Sequence, residues 1–243
     1  MKRIIFNADV GEEAGFDAEI MPFISWCNIS CGSHAGNDVI IQKTIKLAMK
    51  HNVKIGAHPS YPDRENFGRV SLDISYNDLV STVTSQIKKV KFYVEQAGGK
   101  LHHVKPHGAL YNDVFKNNER AQAVLESVKN IDKSLSVITQ ENSKLSYVCK
   151  DLLMVKNEVF ADRNYNEDLT LVSRSNKNAV LKKPKEVFEH VSKMVLDSKI
   201  KTLKGEERSV FFDTICVHGD NPNSVSILEH LYKKFSELNF TFK

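Results

Sequence analysis

The sequence predicts an α/β fold, a parallel β/α barrel of the TIM type built as one domain over residues 1–243. Short apolar runs alternate with amphipathic helical stretches about seven times along the chain. Several of those runs stop at a titratable residue beside glycine or proline, as parallel folds do where they place chemistry. No linker, low-complexity segment or internal repeat interrupts the alternation. About seven units joined by right-handed crossovers favour a closed or nearly closed barrel, with an open sheet as the alternative.

The first strand runs from Arg3 to Ala8 and ends in Asn7-Ala8-Asp9, with Gly11-Glu12-Glu13 behind it. The second lies within Ile20 to Ile29 and is closed by Ser30-Cys31-Gly32-Ser33-His34-Ala35-Gly36. Asn37 or Asp38 caps a helix whose apolar positions are Ile41, Ile45 and Ala48. Val53 to Ala57 is the third strand, ending in His58-Pro59, and a turn-rich loop carries Phe67-Gly68-Arg69. The clearest helix follows. Leu79, Val83, Ile87, Val90, Val94 and Ala97 step by three or four, and Gly98-Gly99 terminates it.

Leu101 to Val104 is the fourth strand despite its two imidazoles, and it breaks into Lys105-Pro106-His107-Gly108. Proline has no N–H for a sheet ladder and disfavours helix before it, so the strand stops near Lys105. Gly108 permits a tight turn or a close approach of backbone. Ala121, Val124, Leu125 and Val128 mark a helix, Leu135 to Ile138 a strand, and Ser143 to Lys150 another helix. Leu152 to Phe160 then ends in Ala161-Asp162-Arg163. Pro184 opens a helix carrying Val187, Val191 and Met194. Phe211 to Val217 is the last strand, ending His218-Gly219-Asp220, and Asn221-Pro222 caps a final helix with Val225, Leu228, Leu231 and Phe235.

Composition narrows the classes. At 41% hydrophobic and 26% charged the chain suits a globular protein with a sizeable core, and its +4 charge is diffuse lysine without a basic run. Nucleic acid is therefore not an expected partner. No apolar stretch approaches the ~18 residues of a membrane span, and the N-terminus lacks a signal-peptide core, which predicts a cytoplasmic protein. Four cysteines in such a chain predict reduced thiols.

In a parallel barrel all strand ends share one rim. Asp9, His34, His58, Lys105 with His107, Asp162 with Arg163, and His218 with Asp220 therefore converge. Each alone reads more simply as a packed or turn-capping residue; together they predict an acid–base and electrostatic site. Asp9, His34 and His58 are metal candidates by residue type. His103 and His107 straddle a strand end and cannot form a helical zinc pair. Cys27, Cys31 and His34 match zinc spacing only loosely; Cys149 and Cys216 read as core. Arg69, Arg163 and Arg174 can hold anions, and Phe67, Tyr111 and Tyr165 read as pocket walls. Neither a Gly-x-x-x-x-Gly-Lys phosphate loop, nor Gly-x-Gly-x-x-Gly after a strand, nor a Gly-x-Ser-x-Gly elbow occurs, so neither nucleotide chemistry nor serine hydrolysis is written in the chain.

Longer motifs resemble one family. They are Asn7-Ala-Asp-Val-Gly-Glu12, Asn28-Ile-Ser-Cys-Gly-Ser-His-Ala-Gly36, Gly56-Ala-His-Pro-Ser-Tyr-Pro-Asp63 and Phe67-Gly-Arg69, then Val104-Lys-Pro-His-Gly-Ala-Leu-Tyr-Asn112, Glu158-Val-Phe-Ala-Asp-Arg163 and Cys216-Val-His-Gly-Asp220. Their order and spacing resemble the LamB/YcsF family from about residue 3 to about residue 240. The resemblance implies a seven-stranded barrel of the glycoside hydrolase/deacetylase type. It also implies ATP-dependent opening of 5-oxoproline to glutamate with partner subunits B and C, which would handle the ATP.

On that footing Asp9, His58, Lys105, His107, Asp162 and His218 are the catalytic candidates, with Asp9 or His107 as base and Lys105 stabilising negative charge. Glu12, Asn28, His34, Arg69, Tyr111, Arg163 and Asp220 are the substrate-binding candidates, with Arg163 or Arg69 holding the substrate carboxylate. The chain departs from the family pattern at Ile5, Ser33, Asn37-Asp38, Asn66 and Leu169. The alternatives are a stand-alone metal-dependent amide or carbohydrate hydrolase, and a non-catalytic ligand-binding barrel that regulates a partner.

Overall fold

A computed structural model describes residues 2–242. Alternation along the first strand, β1 (Phe6–Val10), already sets the architecture. Phe6, Ala8 and Val10 join the apolar core, whereas Asn7 and Asp9 bond to polar side chains of other strands across the barrel interior. A short helix α1 (Asp17–Ile20) and a 3-10 turn over Met21–Phe23 occupy the first part of the stretch expected to hold the second strand, and β2 (Trp26–Ser30) takes its latter part. Helix α2 (Asp38–Lys50) is capped by Asn37, whose side chain accepts from the Ile40 N–H.

After β3 (Lys54–His58), helix α3 (Tyr76–Gln96) buries Leu79, Val83, Ile87, Val90 and Val94, the predicted stripe. Strand β4 (Leu101–Val104) is followed by α4 (Gly108–Lys116) and α5 (Asn118–Lys129). The chain then runs through β5 (Ser136–Thr139), α6 (Lys144–Cys149), β6 (Met154–Phe160) and α7 (Pro184–Asp197). A hairpin of β7 (Lys199–Lys201) and β8 (Glu207–Ser209) precedes β9 (Thr214–Val217) and α8 (Ser224–Glu237).

The closed barrel has the order β1-β2-β3-β4-β5-β6-β9, with every pair parallel. The seven-stranded expectation holds, and the open-sheet alternative does not. The apolar core is a jacket between strands and helices, with Phe6, Ile29, Val104, Val137 and Val217 packed among Ile41, Ile87, Val124 and Leu228.

Two elements lie outside the expectations above, and one helix cap differs from them. Helix α4 begins one residue after His107, because Gly108 takes φ +56 and its backbone approaches Gly68 so closely that a Cβ would lie 2.4 Å from the Gly68 carbonyl oxygen. The β7–β8 hairpin lies outside the barrel and buries only Ile200 in its first strand, so it carries little hydrophobic pattern. The last helix is preceded by Asn223, not capped by Asn221, whose side chain donates instead to Asp162 at 3.0 Å.

Candidate active site

Residues from the C-terminal ends of β1, β3, β4, β6 and β9 line one cavity of about 640 Å³. Asp9, Glu12, His58, Lys105, His107, Arg163 and His218 face it together. Of the predicted set these and Asp220 share the cavity, while His34 and Asp162 stand behind its lining, against Glu12 and His218.

Lys105 sits at the floor, 1% exposed. Its ammonium lies 3.1 Å from the Asp9 carboxylate, 3.1 Å from Glu158 and 3.1 Å from the Cys216 sulfur. It donates to Asp9 and Cys216 and is ion-paired with Glu158, which makes it the counter-ion of two buried carboxylates. Burial opposes the charge, yet Asp9, Cys216 and Glu158 hold the ammonium pKa well above its ordinary value. Burial would likewise raise the Asp9 carboxyl, but the His58 imidazole and Lys105 keep it well below the usual carboxylate range. Phe160 and Tyr111 wall the ammonium, their ring centroids 5.0 and 5.8 Å from Nζ.

Above this floor stands a second cluster, built by tautomers. His58 donates from Nδ1 to the Lys105 carbonyl at 2.7 Å, and His107 donates from Nε2 to the Phe67 carbonyl at 2.9 Å. In each neutral ring the other nitrogen is then a lone pair. These nitrogens, His58 Nε2 and His107 Nδ1, lie 3.1 Å apart. Glu12 Oε1 is 3.3 Å from His107 Nδ1 and 3.7 Å from His58 Nε2, and Asp9 Oδ2 is 3.4 Å from His58 Nε2. Acceptors so close together need a cation between them, either a proton on one ring or a metal ion.

Glu12, His34 and His107 offer ligand atoms within 4.8 Å of one another, and a carboxylate with two imidazoles suits a divalent transition metal. Of the three predicted metal candidates, His34 belongs to this trio, while Asp9 and His58 border it. The Phe67 carbonyl that orients His107 is the kind of outer partner metal-binding histidines use. Burial pushes the His34 imidazole down to about 4, against the pull of Glu12, so it is neutral at neutral pH.

On the opposite wall His218 Nδ1 is 2.8 Å from Asp162 Oδ1, and Asn221 donates to the other carboxylate oxygen. Burial would raise Asp162, but His218 lowers it, so it remains ionised and fixes the imidazole with Nε2 as its available nitrogen. Three guanidiniums meet nearby. Arg69 pairs with Asp220 and packs over Phe67, and Arg174 lies 3.9 Å from the same carboxylate. Arg163 is 6% exposed and donates to the carbonyls of Ala179 and Val172. Burial, and then the charge of Arg174, push its pKa down to about 10.

Residues 4–243 match the model of the LamB/YcsF family. The chain belongs to that family. A LamB/YcsF relative from Pyrococcus abyssi, named as the 5-oxoprolinase A subunit, is 41% identical over 97% of this chain and 94% of its own. The crystal structure of a lactam utilization protein from Thermus thermophilus superposes with a TM-score of 0.91 at 32% identity, covering 100% of this chain and 99% of that one. A family 4 carbohydrate esterase from Streptomyces lividans, at 7% identity and TM-score 0.54 over 99% and 91% of the two chains, shares the fold alone.

Among the substrate-binding candidates, Glu12, Arg69, Tyr111, Arg163 and Asp220 line the cavity. Asn28 is fully buried below it and holds Asp9, and His34 stacks on His107 at 3.7 Å between ring centroids. The sequence reading missed the roles of Glu158, Cys216, His103 and Asn221. Glu158 stands inside a quoted motif but follows Lys156 and Asn157, so nothing in the local pattern sets it apart. Cys216 is buried as expected, but against a lysine. No helix among the described residues is long and apolar enough to cross a membrane.

Proposed function

We propose that this chain is the A subunit of an ATP-dependent 5-oxoprolinase, opening the lactam of 5-oxoproline to glutamate in the cytoplasm with subunits B and C. The observation that carries the reading is Arg163. It is a buried guanidinium bonded to carbonyls rather than to a carboxylate, lining the same cavity as the Asp162–His218 pair. The neighbouring Asp162 acts on it only through its charge and is bonded to His218 and Asn221, so the guanidinium has no direct carboxylate partner and suits an anionic ligand such as the substrate carboxylate. The names of the relatives, lactam utilization protein and 5-oxoprolinase A subunit, support the same substrate.

Lactam hydrolysis coupled to ATP consumes two waters: the lactam oxygen takes the γ-phosphoryl group within the complex and ADP leaves, with the partners handling the nucleotide. One water adds to the activated carbon while His218 Nε2 takes its proton and Asp162 stabilises the resulting imidazolium; the adduct then collapses with cleavage of the C–N bond, the proton passes to the leaving nitrogen, and the second water hydrolyses the acyl phosphate to glutamate and phosphate. Asp9, held at low pKa, suits a fixed negative charge better than a base. Lys105 keeps Asp9 ionised, and its field stabilises negative charge developing above it. A divalent ion held by Glu12, His34 and His107, beside Asp9 and His58, would supply Lewis-acid polarisation of a carbonyl or of water.

The lone-pair cluster also favours a second reading, a stand-alone metal-dependent amide or carbohydrate hydrolase. Glutamate release from 5-oxoproline, assayed with ATP and with each component of the complex omitted in turn, separates the two. Release that requires the full set supports the reading as one part of a complex. Metal-dependent hydrolysis by this chain alone, without ATP, would overturn it.

A further inference from the structure

A chain of hydrogen bonds runs down the barrel interior from Asp9 to the opposite end, and the chemistry above does not use it. Asn28 donates from Nδ2 to Asp9 Oδ1 and to Asn7 Oδ1, both at 2.8 Å. Ionised Asp9 can only accept, so the Asn28 amide cannot be flipped, and its oxygen must accept from below. That oxygen lies 2.7 Å from His103 Nε2, which therefore carries the proton. In a neutral ring His103 Nδ1 is then the acceptor, 2.9 Å from His102 Nδ1, which donates. His102 Nε2 in turn faces the Lys54 ammonium at 3.4 Å, at the exposed start of β3. Each member points its proton toward Asp9.

A second observation is independent of those bonds. A Cβ on Gly56 would lie 2.1 Å from His103 Nε2. The φ of Gly56 is not one that needs glycine, so the missing side chain is space occupied by the His103 ring. Trp26 closes the other side, 5.7 Å from His103 and 5.2 Å from His102 between ring centroids. His103 is fully buried, and burial followed by the nearby His102 and Lys105 charges favours its neutral form.

We propose that His103 is a positioning residue for Asp9: through Asn28 it holds Oδ1 on the lumen side and leaves Oδ2 facing His58 and the cavity, with His102 fixing the His103 tautomer. The proposal rests on Asp9 belonging to the working site, and its test separates that from the reaction assigned above.

Nitrogen NMR of the full chain with isotope-labelled histidine is expected to show His103 protonated at Nε2 and His102 at Nδ1. A His103 proton on Nδ1 would overturn the chain. His103→Phe keeps the ring volume and removes both nitrogens. Its crystal structure should show the Asn28 amide and the Asp9 carboxylate rotated from their bonded positions, and an unmoved Asp9 would count against the role. In glutamate release with ATP and partner subunits, kcat should fall ~10- to 100-fold with KM unchanged, the usual size of an outer-shell defect. His103→Gln, whose amide can still donate to Asn28, should recover part of that loss. Wild-type kcat in His103→Phe would overturn the proposal. If the wild-type complex releases no glutamate, only the assigned reaction falls, and the tautomers and the Asp9 rotamer still decide.

Discussion

The two faces of each barrel strand differ in kind. Outward-facing Phe6, Ala8, Ile29, Val104 and Val217 belong to an apolar jacket that the helices seal. Inward-facing Asn7, Asp9, Asn28, His103, Lys105, Glu158 and Cys216 are bonded to one another. Burial in the jacket stabilises by area, ~25 cal/mol per Å², and any well-fitting apolar side chain contributes. Lumen groups stabilise only when all are satisfied, because a buried charge or amide left unpaired is costly. Removing one lumen residue should therefore damage both fold and site, whereas removing one jacket residue should damage the fold alone.

The largest effect expected is that of Lys105→Met. It keeps most of the side-chain volume but strips the counter-ion from Asp9 and Glu158 at once. Breaking a buried ion pair from one side costs about 3–5 kcal/mol, read as a shift in urea midpoint, and glutamate release should fall ~100-fold or more. A loss under ~1 kcal/mol would mean that the lumen is not a charge-balanced unit. Leu79→Ala is the jacket counterpart. Leu79 is fully buried on α3, and its truncation should cost about 3 kcal/mol while leaving turnover per folded molecule unchanged. A drop in kcat there would erase the distinction between the faces.

That distinction also explains how much was legible in the sequence. Jacket residues recur with helical or strand period, so α3, α5 and most barrel strands were readable from Leu79-Val83-Ile87-Val90 and its counterparts. Titratable residues beside proline or glycine marked the rim, and Asp9, His58, Lys105 and His218 do share one cavity. Lumen partners carry no such period. Glu158 and Cys216 look like an interruption and a hydrophobe until the barrel closes and brings both to Lys105. The turn signals Pro106 and Gly108 masked α4, which starts within them. At Leu169, where the resemblance leads to an expectation of glycine, the backbone takes a left-handed φ of 63°, the region glycine adopts without strain.

Acid should act on the lumen and rim before the jacket. His34 is held at about 4 in the folded chain against an ordinary imidazole near 6.5. Between those values the unfolded chain binds a proton that the folded chain refuses. The contribution of His34 is therefore complete above about pH 6.5 and declines as pH falls toward 4. At ~1.4 kcal/mol per unit within that window, His34 alone should remove about 2 kcal/mol from pH 7 to pH 5, and His102, His103 and His190, lowered in the same direction by burial, add to the loss. Lowered Asp9, Glu12 and Asp162 add further loss only below the ordinary carboxylate range near pH 4. Urea titrations across pH, with a chelator present to free the imidazoles, measure the slope. A flat profile between pH 7 and 5 would mean that His34 is not held neutral.

The smallest change expected is a gain, at the periphery of the jacket. Ser198 ends α7 in the left-handed conformation, φ 54° and ψ 39°, and returns its N–H to the Met194 carbonyl. A left-handed non-glycine residue costs roughly 1–2 kcal/mol of local strain, which glycine does not bear, and helices commonly close on glycine for that reason. The Ser198 side chain is exposed, so Ser198→Gly gives up no burial. Glycine's greater freedom in the unfolded chain offsets part of the relief, which leaves about 0.5–1 kcal/mol of net stabilisation and a rise of a few degrees in Tm. Turnover should not change, because α7 meets the cavity only through the long 164–183 segment before it. A fall in Tm would mean that the serine does more at this helix end than terminate it. A change in kcat would show that the outer layer and the lumen are coupled where the geometry keeps them apart.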